Sequence, residues 1–195
     1  YEHGLQRERF LPAIDLIKKH TKVWRLSLQE DYRCRTIQYL TAYYTPWGEA
    51  AEQALWNTLL KLTENHRLTQ KPLILYDREI VVKQRTDKVI WFEFNIICGR
   101  PRSQNDYLAL AEQYSVVLIS HVPCLEMVSK DKLVSFIHLV DIFYDSRVKL
   151  ILSAAVPITK LYTQGSFRHI FQRTESRLMQ MQHIVFSNVN MSLKF

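Results

Sequence analysis

Glycine is scarce in this chain. Its four glycines, Gly4, Gly48, Gly99 and Gly165, stand 44, 51 and 66 residues apart. A phosphate-cradling loop needs two glycines five residues apart, followed by Lys and Ser or Thr. A dinucleotide-binding turn needs three glycines within six residues. Neither exists in these 195 residues, so any nucleotide handled here is held by parts other than a phosphate loop of this chain. Cysteine is equally scarce. Cys34, Cys98 and Cys124 are far apart and odd in number, with no CxxC pair. They read as reduced, buried thiols rather than a disulfide or zinc framework. No HxxxH or HExxH spacing occurs among the seven histidines, and His121 with Cys124 offers only two metal ligands of the four a structural site needs. The apolar runs stop well short of the roughly 18 residues that span a bilayer.

Aromatic residues are plentiful, with 10 Tyr, 9 Phe and 4 Trp. With 47% hydrophobic and 23% charged residues the composition is that of a globular domain, not a disordered chain. The chain opens at Tyr1 without Met, a charged n-region or an apolar h-region. It reads as a segment that begins within a longer protein.

The net charge of +7 is unevenly placed. From Arg147 onward there are seven basic residues and one acid, Glu175, whereas the first 146 residues hold 19 basic and 18 acidic groups. The last quarter should therefore face an anion, or simply present a solvated basic surface.

Periodicity organises the chain into α/β segments. Leu5, Phe10, Ile14 and Ile17 follow helical spacing, with Pro12 expected to start or kink that helix. Val23–Leu28 alternates as a short strand. Pro46-Trp47-Gly48-Glu49 opens a helix with Ala51, Ala54, Leu55, Leu59 and Leu62 on one face. Leu73–Tyr76 and Ile80–Lys83 suggest a hairpin, and Val89–Ile97 a third strand of the same antiparallel patch. Ser103 and Asp106 make a capping box before a helix over Gln104–Tyr114. Then follow a strand at Val116–Ser120, a helix at Asp131–Tyr144, a strand at Val148–Ser153, a short helix at Pro157–Tyr162 and a last helix at Gln172–His183. Strand–helix–strand with helices of this length is the pattern of a parallel sheet. No Pro/Gly/Ser linker marks a domain break.

Four segments could carry chemistry. Arg7 and Arg9 stand at the mouth of a helix, where a permanently charged, forked guanidinium could reach a γ-phosphate across a subunit seam. The plainer reading is a surface pair with Glu8 or Glu2. Arg173 and Arg177 are one helical turn apart on one face, so an anion between them would relieve their repulsion. A nucleotide phosphate meets that demand, and so does ordinary solvation or a bond to Glu175. Pro101-Arg102-Ser103-Gln104-Asn105-Asp106-Tyr107 follows a strand, a frequent place for ligands, but capping and an Arg102–Asp106 pair account for it. Asp141 and Asp145, also a turn apart, are read as salt-bridging to Arg147 and Lys149.

These residues, in order, resemble a known family. The runs GLQRERFLPAI (Gly4–Ile14), DYR (Asp31–Arg33), RSQNDY (Arg102–Tyr107), FI-LVD--YD--VKL--SA-VP (Phe136–Pro157) and FQRT-SRL--MQ (Phe171–Gln182) resemble the C-terminal half of the ZapE cell-division ATPases, relatives of the mitochondrial lactation-elevated type. The resemblance covers about residues 1–182. It implies an α/β chain forming part of a P-loop NTPase (AAA-plus-like) fold, with a parallel βαβ C-terminal region and a small antiparallel patch in the middle. The parts it implies are a helical continuation of the ATPase core at 1–70, antiparallel strands at 71–100, and an α/β region with a basic helix at 101–195. It implies ATP and Mg²⁺ as ligands, with Walker A and B upstream of Tyr1, so that this chain alone should not hydrolyse ATP. By analogy with that architecture Arg7 is the arginine-finger candidate, and Arg173 and Arg177 are nucleotide-binding, sensor-like candidates. The partner implied is the division-ring protein FtsZ, with self-association, in the bacterial cytoplasm or at the division site; a mitochondrial setting is the alternative. Two features depart from the family pattern: Ile142 stands where an acid is common, and the tail from Ile184 to Phe195 is unlike the family's ending. The competing function is a non-catalytic basic module that binds an acidic protein. No recognised RNA- or DNA-binding motif is present.

Overall fold

The computed structural model describes residues 7–22, 42–63, 66–99 and 102–182, with side chains from residue 11 onward. The expected strand at 23–28, the Asp31–Cys34 segment and the 184–195 tail lie outside them. The chain divides into two compact units, Tyr1–Thr36 and Ile37–Phe195, a division that no glycine- or proline-rich stretch announces.

In the first unit, helix α1 spans Arg7–His20 and ends in Lys18, Lys19 and His20, as the macrodipole favours. Pro12 lies inside it rather than at its start.

The second unit is built on a five-stranded sheet. In chain order its elements are β1 (Tyr43–Tyr44), α2 (Glu49–Leu62), the hairpin strands β2 (Leu73–Leu75) and β3 (Arg78–Ile80), β4 (Gln84–Arg85), β5 (Val89–Glu93), the single turn α3 (Phe94–Ile97), α4 (Gln104–Gln113), β6 (Val116–Val122), α5 (Lys130–Asp145), β7 (Lys149–Ala154) and α6 (Arg168–Met181). The sheet order is β1-β7-β6-β5-β4. The first four strands in that order run parallel, and β4 is antiparallel to β5.

Alternation along the strands explains the layering. Ile90 and Phe92 of β5, Val117 and Ile119 of β6, and Leu150 and Leu152 of β7 point to one face, where Tyr107 and Leu110 of α4, Phe136, Val140 and Phe143 of α5, and Phe171 and Leu178 of α6 cover them. The intervening Val89, Trp91, Val116, Leu118 and Ile151 point to the other face and meet Leu55 and Leu59 of α2. Both faces are covered, so the strands read as continuous apolar runs rather than alternating ones. Each such side chain contributes about 1.5–3 kcal/mol when fully buried.

The antiparallel region differs from the sequence expectation. The hairpin forms with Tyr76 and Asp77 at its tip, both at positive φ (48° and 59°). That is the backbone a two-residue hairpin turn needs, supplied without the usual Asn-Gly. The third strand does not join this hairpin. Val89–Glu93 enters the main sheet beside β6, and Phe94–Ile97 coils into a helical turn. A strand whose residues are buried on both faces is selected by the parallel sheet, not by a half-exposed hairpin.

The expected capping box is present at the start of α4: the Asp106 carboxylate accepts the Ser103 N–H at 3.0 Å. Pro157–Tyr162 forms a single 3₁₀ turn at Ile158–Lys160, and α6 begins a turn earlier than periodicity suggests. No helix among the described residues is long and apolar enough to cross a membrane.

Candidate functional site

Two clusters of charge flank the sheet. The first joins α5 and α6. Arg173 and Arg177 lie one turn apart on α6, and Asp141 and Asp145 one turn apart on α5, so two ladders of the same pitch face each other. Arg177 Nη1 donates to Asp141 Oδ1 and to the Asp141 carbonyl, both at 3.0 Å, and Arg177 Nη2 stands 3.1 Å from Asp145 Oδ1. Arg173 Nη2 donates to the other oxygen of Asp141. The Arg177 guanidinium also lies over the Tyr144 ring, 4.8 Å from its centre, and the Tyr144 hydroxyl bonds to Gln180.

The anion expected between the two arginines is therefore supplied, in this chain, by Asp141. The two guanidiniums are not equivalent. Arg177 is 19% exposed and engaged on every side, whereas Arg173 is 61% exposed and makes one contact at its tip. Glu175, the sequence-level partner, instead accepts from Arg168 at 2.6 Å. The described partners of Asp141 and Asp145 are on α6, whereas the sequence reading paired them with Arg147 and Lys149. Arg7 belongs to α1 in the other unit, and its side chain lies outside the described residues.

The expected Arg102–Asp106 pair is replaced. Asp106 is fully buried and its ion pair is with Arg78 of β3, Nη2 to Oδ1 at 2.6 Å. Arg102 donates to the carbonyls of Ile96 and Ile97 at 2.8 and 3.1 Å. The RSQND segment is thus a cap that also fastens the hairpin to α4. Cys98 is buried, and burial pushes its thiol up to about 12, so it stays protonated and inert as a core thiol does. Cys124 is half-buried, its Sγ 3.9 Å from the Leu161 carbonyl. Cys34 lies outside the described residues.

The second cluster was not visible to sequence reasoning. It sits on the α2 face, at the C-terminal ends of β5 and β6, where α/β sheets place their ligands. Between Ile119 and Val122 the register against β7 slips, so Ser120 and His121 oppose the single residue Ser153. This bulge puts His121 at φ 60°, and its N–H donates to Ser153 Oγ at 3.2 Å. Bulges of this kind re-aim a side chain. The His121 imidazole stands 3.5 Å from Glu52 Oε1 of α2 and 4.0 Å from Glu93 Oε1 of β5, with Trp47 edge-on at 5.6 Å. Lys83 completes the group, 2.7 Å from Glu52 Oε2, 3.7 Å from Glu93, and 4.8 Å above the Trp91 ring. Glu52 Oε1 is shut off from solvent and accepts no hydrogen bond. The 3.5 Å contact is an ion pair only when the imidazole is protonated. The residues come from positions 52, 83, 93 and 121, a separation no motif scan detects; the sequence signal is only a histidine closing an apolar strand. Among the described residues no three His, Cys, Asp or Glu side chains converge as metal ligands.

Comparison with known proteins places this architecture. The family model of the AFG1-like ATPases matches residues 1–189. Cell division protein ZapE of Escherichia coli is 34% identical over 182 residues, 93% of this chain and 48% of that protein. Lactation elevated protein 1 homolog B of Danio rerio is 30% identical over 169 residues, 85% of this chain and 33% of that protein. No solved structure matches. The chain spans about half the length, or less, of these curated relatives. A mainly parallel α/β sheet with a small antiparallel hairpin accords with a P-loop NTPase family, and with a match running over nearly its whole length the chain belongs to the AFG1-like ATPases.

Proposed function

We propose that this chain is the C-terminal portion of an ATP-binding, ATP-hydrolysing protein, and that it contributes guanidinium groups to a nucleotide site completed by residues outside it. The observation that carries this reading is the convergence of Arg173 and Arg177 on a single carboxylate. Two guanidiniums a helical turn apart form an anion site, and Arg173 is exposed enough to exchange Asp141 for a phosphate oxygen. Arg177, anchored between Asp141 and Asp145 and stacked on Tyr144, holds the geometry. Arg7 takes the finger role. The described residues fit the phosphate end of ATP at Arg173 alone. For Mg²⁺ they offer no ligand set, so the ion belongs to the missing part of the site. When bound, ATP supplies the transferable γ-phosphoryl group; this chain's part is to neutralise charge on it.

The relative named as a cell division protein suggests the setting: action on FtsZ polymers in a bacterium, with a mitochondrial role as the alternative. The competing reading, a basic module for an acidic partner, loses ground to the pairing on α6. Arg168, Arg173 and Arg177, three of the seven basic residues after position 146, are already engaged by Glu175, Asp141 and Asp145. The test is steady-state ATP hydrolysis by the full-length protein. Arg7→Ala should lower turnover on the order of 10³-fold, as loss of an arginine finger does, and Arg173→Ala should lower it in the same direction. Wild-type rates in both variants would overturn the assignment, and co-sedimentation with FtsZ polymers tests the partner separately.

A further inference from the structure

The α2 face holds an open recess of about 300 Å³ whose walls include Glu49, Glu52, Trp56, Lys83, Gln84 and Trp91. We propose that it binds an arginine side chain of another polypeptide. This inference is independent of the nucleotide reading and concerns the opposite face of the sheet.

The recess already shows its preference. Lys83 lies over the face of Trp91 and against Glu52, so a cation held between a tryptophan and a carboxylate is the arrangement the chain itself adopts there. Trp56 offers a second indole, tilted 43° to Trp91 with ring centres 6.2 Å apart, and it is half-buried at the recess wall. Glu49, exposed, and Glu52 flank it at helical spacings of seven and four on the same side of α2. Among the lining residues two carboxylates, Glu49 and Glu52, stand against one ammonium, Lys83, so the recess keeps an excess of negative charge in a chain whose net charge is +7.

Acids in the first turn of a helix also complement its dipole. That explains two glutamates, and core packing explains the buried Trp91; the half-buried Trp56 is the indole left at the wall beside them. A guanidinium suits both features, because it is planar, stacks on indole and forks onto carboxylate oxygens. The volume lies at the lower end of small-molecule sites and matches one long side chain. The uncompensated carboxylates would repel the phosphates of a nucleotide.

The experiment is calorimetric titration of the full chain with the peptide acetyl-Gly-Arg-Gly-amide, its citrulline counterpart of the same shape without charge, and ATP. The arginine peptide should bind saturably, and citrulline about ten-fold or more weakly. Trp56→Ala should abolish binding. Because that variant could disturb packing, Glu49→Gln, at an exposed position, is the second test and should weaken binding several-fold without moving the melting temperature. The proposal is overturned by equal binding of the citrulline peptide, by undiminished binding in Glu49→Gln, by displacement of the peptide by ATP, or by no heat up to roughly 10 mM peptide.

Discussion

The α5–α6 seam and the α2 recess are both knots of charge on the flanks of one sheet, yet they are put together oppositely. In the seam, two arginines meet two aspartates through ladders of equal pitch, and each carboxylate has a guanidinium. The charges cancel and the contact is closed on itself. In the cluster beside the α2 recess, two carboxylates, Glu52 and Glu93, share one ammonium, Lys83, and one imidazole, His121, all from separate segments, and an oxygen of Glu52 accepts no hydrogen bond. A closed knot fixes one helix against another; an open one keeps more carboxylate than ammonium. Removing a buried member should therefore cost more in the seam than in the recess.

The largest effect expected is for Asp141→Ala. Its carboxylate is 15% exposed and serves both arginines, and its loss leaves Arg177, itself only 19% exposed, with Asp145 and a backbone carbonyl. Breaking one side of a buried pair costs about 3–5 kcal/mol. Partial exposure and the surviving Asp145 contact place this case at or below the lower figure, about 2–3 kcal/mol, which lowers the melting temperature by roughly 4–12 °C. Thermal unfolding followed by circular dichroism measures it. A shift of a degree or less would mean that the seam is no more than a surface contact.

Glu52→Gln should come next. Lys83 and Glu52 are 30% and 26% exposed, so their 2.7 Å bond is screened by solvent, and Lys83 retains Glu93 and Trp91. A loss of about 1 kcal/mol is expected in chemical denaturation. If Glu52→Gln proved costlier than Asp141→Ala, the contrast between closed and open clusters would be wrong.

How far these clusters were legible in the sequence follows from how local they are. The apolar runs of β6 and β7, the Ser103–Asp106 cap and the helical face of α5 depend on residues within one element, and each was readable. The four ladder positions, 141, 145, 173 and 177, were also visible, because i,i+4 spacing is a local property. That the two ladders meet is a fact of helix packing, so the sequence reading sets Arg173 and Arg177 against a phosphate, solvent or Glu175, and Asp141 is not among the partners it offers. Asp106 was assigned to its neighbour Arg102 for the same reason, whereas the fold brings Arg78 across 28 positions. The Glu52 cluster was wholly illegible. Its histidine, His121, is aimed by a bulge that exists only once β6 is paired with β7.

The smallest effect is the most useful one for function. Arg173 is 61% exposed and holds Asp141 from the solvent side, while Arg177 holds the same carboxylate from within. Exposed pairs of this kind are worth about 0–1 kcal/mol and weaken with salt. Arg173→Ala should thus lower stability by no more than about 1 kcal/mol, less at high ionic strength, with α5 and α6 still docked through Arg177. Arg177→Ala does not share this advantage. It removes both the Asp145 contact and the buried half of the Asp141 pair, so a fall in turnover could reflect a loosened α6. A large fall in ATP turnover for Arg173→Ala, at unchanged melting temperature, cannot be assigned to lost packing and points to a phosphate. Unchanged turnover would leave the arginine pair with the mechanical role its aspartates already define.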